Sequence, residues 1–74
     1  MTDIAVYSQK DISMRLRRWR LVQNMSQEDM AAFLGISRRT YLSIENGKRD
    51  LRLNEAVRVA ALFGKSLDAL ALTT

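Results

Sequence analysis

The spacing between Gly35 and Ser37 constrains this chain more than any other local feature. Glycine ends a helix by taking a left-handed conformation, and serine starts one by accepting an early backbone N–H. A stop and a start separated by Ile36 alone make two helices meet at a sharp corner. The upstream helix opens at Ser26-Gln27-Glu28-Asp29, an S-x-x-D cap that places two carboxylates where the helix dipole favours them. It runs through Met30, Ala31 and Leu34 to Gly35. The downstream helix runs from Arg38 to about Asn46 and is closed by Gly47. Ala31 is small, so the second helix of the pair can cross closely above it.

Similar punctuation divides the rest. Ser8-Gln9-Lys10-Asp11 repeats the S-x-x-D cap, and Ile12, Leu16 and Trp19 follow at helical spacing to a stop at Asn24. Arg15, Arg17, Arg18 and Arg20 fill much of the remaining surface of that helix. A looser stretch, Lys48-Arg49-Asp50-Leu51-Arg52, leads to a fourth helix ended by Gly64. Leu53, Ala56, Val57, Ala60 and Leu62-Phe63 form its expected apolar face. Ser66-Leu67-Asp68 caps a last short helix through Leu70. The expectation is an all-α domain of five helices containing a helix-turn-helix. Its expected core is Leu16, Trp19, Met30, Ala31, Leu34, Tyr41, Ile44, Ala56, Val57, Ala60, Phe63, Leu67 and Leu70. Residues 1–7 precede the first cap and read as a flexible N-terminal arm on a single domain spanning 8–74. Ile4-Ala5-Val6-Tyr7 is the one stretch with strand character.

Composition removes whole classes of chemistry. Among 74 residues there is no cysteine and no histidine, hence no disulfide, no thiolate nucleophile and no Cys- or His-based metal site. The acids are spread along the helices without a clustered pair, so neither an enzyme nor a bound cofactor or metal is expected. No apolar run approaches the ~18 residues of a membrane span, and the start lacks a secretory pattern. Cytoplasmic residence is the expectation. Twelve cations, nine of them arginine, stand against eight acids for a net charge of +4. Arginine's planar fork suits a polyanionic partner.

The string Ser26-Gln27-Glu28-Asp29-Met30-Ala31, Leu34-Gly35-Ile36-Ser37, Ile44-Glu45-Asn46-Gly47 and Ala60…Phe63-Gly64…Ser66-Leu67-Asp68 resembles the phage repressor/Cro-like (XRE-type) helix-turn-helix family. The likeness covers about residues 12–70. It implies a repressor-like fold whose Arg38–Asn46 helix enters the major groove of double-stranded DNA. By that resemblance Arg38, Arg39 and Ser43 match base-reading positions. Gln27, Ser37, Thr40, Asn46 and Lys48 match phosphate-holding ones. Arg49, with Arg52 beside it, either extends that grip or belongs to a solvated loop. Arg20 and Glu45 match a pair that fixes the recognition helix and leaves the arginine edge-on to a phosphate; a purely structural ion pair is the other reading. An arginine can bond both O6 and N7 of guanine, so Arg38 and Arg39 suggest a G-containing half-site, although phosphate contact alone would also employ them. The arginines of the first helix read as a solvated face with one or two phosphate contacts; a basic face for an anionic membrane is set aside, because Ile12, Leu16 and Trp19 are needed for the core, and no membrane partner is expected.

Some residues depart from the family pattern. Leu51 stands where proline is common, which would leave the approach to the fourth helix less fixed. Tyr41 replaces a buried aliphatic and needs a hydroxyl partner, for which a phosphate is one choice. Leu21, Val22, Phe33 and Leu42 fall at usually polar positions and suggest a second interface. The resemblance further implies a homodimer formed through the last two helices, with Leu70 and Leu72. The functional expectation is a sequence-specific transcriptional regulator on an inverted-repeat operator, of a size suited to phage regulators or restriction–modification controllers. A HipB-like antitoxin with a toxin partner is the alternative, because Tyr7-Ser8 matches a Tyr-Ser pair at that distance before the motif.

Overall fold

The computed structural model describes residues 9–71. Five helices follow one another: α1 (Gln9–Val22), α2 (Gln27–Leu34), α3 (Arg38–Glu45), α4 (Leu53–Leu62) and α5 (Leu67–Ala71). No strand occurs among the described residues. The Ser8 cap, the arm and the Ile4–Tyr7 stretch lie outside them.

The corner at Gly35 forms as the residues require. Gly35 sits at φ 71°, and its N–H donates to Ala32 O at 3.2 Å while the N–H of Ile36 reaches Ala31 O at 3.0 Å. This paired closure satisfies two orphan carbonyls of α2 and turns the chain within one residue. Asn24, at φ 57°, ends α1 the same way, with the N–H of Met25 donating to Arg20 O. At the start of α2, Ser26 Oγ accepts from Asp29 N–H and the Asp29 carboxylate accepts from Ser26 N–H, both at 2.9 Å. The backbone hydrogen bond from Ser26 is the main reason the Asp29 carboxyl lies below its ordinary range. Ser37 Oγ accepts from Thr40 N–H at 3.0 Å and opens α3.

The helices enclose one core. α3 packs on α2 and α1, while α5 bridges α1 and α4. Leu16, Met30, Tyr41, Ile44, Val59 and Leu70 are fully buried at its centre. Burying a side chain of this size is worth about 1.5–3 kcal/mol, so these six outweigh any surface pair. Trp19 meets Phe63 edge to face at 5.6 Å and closes the α1 side. The hydroxyl of Ser13 donates to Ile44 O at 2.7 Å, and Arg15 Nη1 donates to Leu70 O at 3.1 Å, stitching α1 to α3 and α5.

The structure corrects the expected face of α4. Val57 is 48% exposed and Leu53 and Leu62 also face outward, whereas Val59 is wholly buried. The inward residues are Glu55, Ala56, Val59 and Ala60. Glu55 can turn inside with them because Arg49 pairs with both its carboxylate oxygens at 3.0 Å. That carboxyl lies below its ordinary range, chiefly through the Arg49 hydrogen bond. Glu55 also accepts from Arg52 N–H at 2.9 Å, which fixes the start of the helix. Leu51 is buried in the core, so the approach to α4 is held by packing and an ion pair where proline was absent. Trp19, Phe63 and Leu67 are half-buried and pack around the core.

Two interface expectations change as well. Leu70 is completely buried within the monomer, so it offers nothing to a second subunit, and Leu72 lies outside the described residues. Phe33 and Leu42 are half-buried; Phe33 packs on the core beneath the Arg58 guanidinium, 5.1 Å from its ring centre. Leu21 and Val22 are exposed, together with Met14, beside Arg17 and Arg18.

Candidate nucleic-acid interface

The corner between α2 and α3 places the first turn of α3 at the surface while its last turn is anchored in the protein. Arg38 and Arg39 are both exposed at that first turn. Tyr41 and Ile44 bury the opposite side of the same helix. A two-turn helix with apolar residues on one face and arginines at its outer start is held firmly and presents cations outward.

The anchor is the Glu45 carboxylate. Arg20 Nε donates to Oε2 at 2.6 Å and Nη2 donates to Oε1 at 3.2 Å, a two-pronged pair with side-chain exposures of only 8% and 3%. The Tyr41 hydroxyl donates to Oε2, and Gln27 Nε2 donates to Oε1 at 3.4 Å. Burial alone would push the Glu45 carboxyl up; the hydrogen bonds from Arg20 and Tyr41 outweigh it and hold the group below its ordinary range. Burial, reinforced by Glu45, pushes the Tyr41 hydroxyl far above its ordinary value, so it stays a protonated donor. Its partner is therefore Glu45 rather than a phosphate. Arg20 Nη1 also donates to Met25 O at 2.9 Å. Thus α1, α2 and α3 converge on one buried charge.

Other predicted residues divide by how occupied they are. Gln27 is half-buried and engaged on both sides, with its oxygen accepting from Arg38 Nη2 at 3.3 Å. Arg38 also meets Glu28 through Nε at 3.3 Å. The Ser37 hydroxyl donates to Thr40 Oγ1 at 2.9 Å, and that of Ser43 to Arg39 O at 3.3 Å. Asn46 and Lys48 are exposed just beyond α3. Neither Arg39 nor Lys48 forms an ion pair among the described residues. Arg49 stands apart from this group, committed to Glu55.

Glu28, Glu55 and Ser13 escaped the sequence reading. Tyr41 and Glu45 lie four residues apart on α3, a spacing at which side chains meet, so that bond had a local signal. Arg49 and Glu55 flank an irregular loop and had none.

The "Helix-turn-helix" family description matches residues 16–70. The chain belongs to the helix-turn-helix family. Within it, an HTH-type transcriptional regulator of Methanocaldococcus jannaschii is 41% identical over 54 residues, which make up 73% of this chain and 82% of the relative. A second such regulator, from Archaeoglobus fulgidus, is 32% identical over 54 residues, covering 73% of this chain and 76% of its own. Among solved structures, the restriction-modification controller protein C.AhdI from Aeromonas hydrophila superimposes with a TM-score of 0.73 at 26% identity, over 84% of this chain and 94% of the controller. The hydroxypropylphosphonic acid epoxidase of S. wedmorenis gives 0.77 at 27% identity over 88% of this chain. There the helix-turn-helix chain spans only 35% of the epoxidase. The protein is thus an HTH-type, DNA-binding regulator domain related to XRE/Cro-like and controller proteins. No helix among the described residues is long and apolar enough to cross a membrane.

Proposed function

We propose that this domain regulates transcription by binding an inverted-repeat operator as a homodimer, each subunit inserting α3 into the major groove. The observation that carries the reading is the pair Arg38 and Arg39, exposed at the free start of a helix whose other end is locked by Arg20 and Glu45. A B-form major groove admits one such helix, and an arginine fork matches O6 and N7 of guanine. Ser43 lies one turn further along the helix and completes the set of base-facing candidates.

Phosphate contacts then flank the groove. Gln27 and Ser37 stand at the starts of α2 and α3, with Thr40 beside Ser37, and Asn46 and Lys48 follow the end of α3. Free N–H groups at a helix start attract an anion, which supports the first two. Arg20 acts through Glu45, since its nearly buried side chain is spent on holding α3. Arg49 likewise serves α4 through Glu55 and is a weaker phosphate candidate than Lys48.

The exposed Leu53, Val57 and Leu62 of α4 supply apolar surface for a second subunit. Half-site centres would then lie about 34 Å apart, one turn of the duplex. The likeness to a restriction-modification controller supports a regulatory role on DNA.

Selection of bound sites from random duplex DNA tests the proposal. The expected product is a symmetric site with guanine in each half. Recovery of sequences with no base preference would overturn it.

A further inference from the structure

We infer that Glu28 is a positioning residue for Arg38, holding one edge of its guanidinium so that the other edge reads a base. The inference deepens the proposed DNA reading and rests on it. The guanidinium is a planar fork with two usable edges, one formed by Nε and Nη2 and the other by Nη1 and Nη2. In this structure α2 occupies the first edge. Glu28 Oε2 lies 3.3 Å from Nε, and Gln27 Oε1 accepts from Nη2 at 3.3 Å. Gln27 is itself tied to Glu45 at 3.4 Å, so the support reaches back to the buried anchor. The Nη1 edge has no acceptor among the described residues, and this is the edge left to bond guanine O6 and N7 together.

Glu28 has a second effect, on charge. A carboxylate against the guanidinium offsets the charge a phosphate would seek, so Arg38 gains little from DNA that lacks a matching base. Arg39, one position along, has no such neighbour among the described residues. The two adjacent arginines therefore differ: Arg38 is held for one base, while Arg39, with no carboxylate against it among the described residues, is free to meet a base edge or the backbone. Arg38 and Glu28 are 54% and 68% exposed, so the pair adds little to folding and can be removed without unfolding the domain.

The test compares the intact chain with Glu28→Gln and Arg38→Lys on the selected operator, on operators with each guanine replaced, and on random-sequence duplex. Glu28→Gln should lower the preference for one guanine per half-site about tenfold. It should also raise affinity for random duplex and steepen the salt dependence by up to about 0.9 in log–log slope. Arg38→Lys should lose preference at the same guanine, because lysine keeps the charge without the fork. If Glu28→Gln leaves every base preference intact, or weakens all duplexes by one common factor, the positioning role is overturned while the DNA reading stands. Should the unaltered chain show no base preference at all, both fall together.

Discussion

Arg20 on α1 and Glu45 at the end of α3 meet at 2.6 Å in a site almost closed to water, so a charge pair between helices distant in sequence helps to fix α3. Helix α3 is too short to hold its shape alone, and most of its stability must come from what it packs against. Glu45 joins Arg20, Tyr41 and Gln27, which makes it the point through which three helices are coupled.

Removing one partner leaves the other buried and unpaired. Arg20→Ala should therefore cost about 3–5 kcal/mol, a large share of the stability of so small a domain. Urea unfolding followed by circular dichroism measures it. Tyr41→Phe removes only one donor to the same charged carboxylate and should cost about 1.5–3 kcal/mol.

Acid should weaken the fold through the same groups. Glu45 and Glu55 are held below their ordinary value of 4.5 in the folded protein. Between the folded and unfolded values the unfolded chain binds more protons, so stability rises with pH there. The contribution is complete above about pH 5 and is lost as pH falls through the folded values. Urea midpoints measured across the acid range should show this decline, and Glu45→Gln should make it shallower.

The two valines of α4 separate core from surface. Val59→Ala opens space at a wholly buried position and should cost about 1.5–3 kcal/mol. Val57→Ala, at an exposed position, should stay within about 0.5 kcal/mol. If α4 forms the proposed subunit contact, Val57→Asp should shift the protein toward monomer in analytical ultracentrifugation while leaving its helical signal unchanged.

Lys48 offers the plainest phosphate test, being exposed and outside every ion pair among the described residues. Lys48→Ala should weaken operator and random duplex alike. Its plot of log K against log salt should be shallower by about 0.9, one phosphate's worth. Fluorescence anisotropy titrations at several salt concentrations provide both numbers.

Local chemistry accounts for what was legible beforehand. The caps at Ser26 and Ser37 and the stop at Gly35 each act on neighbours within a few residues, so their outcome was written in the chain. The candidate site was legible to the same extent: Arg38 and Arg39 had to fall at the start of α3 once Ser37 capped it. The apolar face of α4 was not. Leu53, Ala56, Val57, Val59, Ala60, Ala61 and Leu62 crowd so much of that helix that periodicity cannot choose which side turns inward.

By itself, the amino-acid sequence determined the five helices, the corner between α2 and α3 and the cations carried there, because capping and backbone conformation are settled over short distances. Tertiary structure alone decided the pairings that the family likeness had not named. Arg49 with Glu55 and Arg38 with Glu28 depend on which groups packing brings within reach, whereas Arg20 with Glu45 was already implied by the resemblance. Nine arginines are chemically alike in the sequence; burial and distance separate those that hold the fold from those left facing outward.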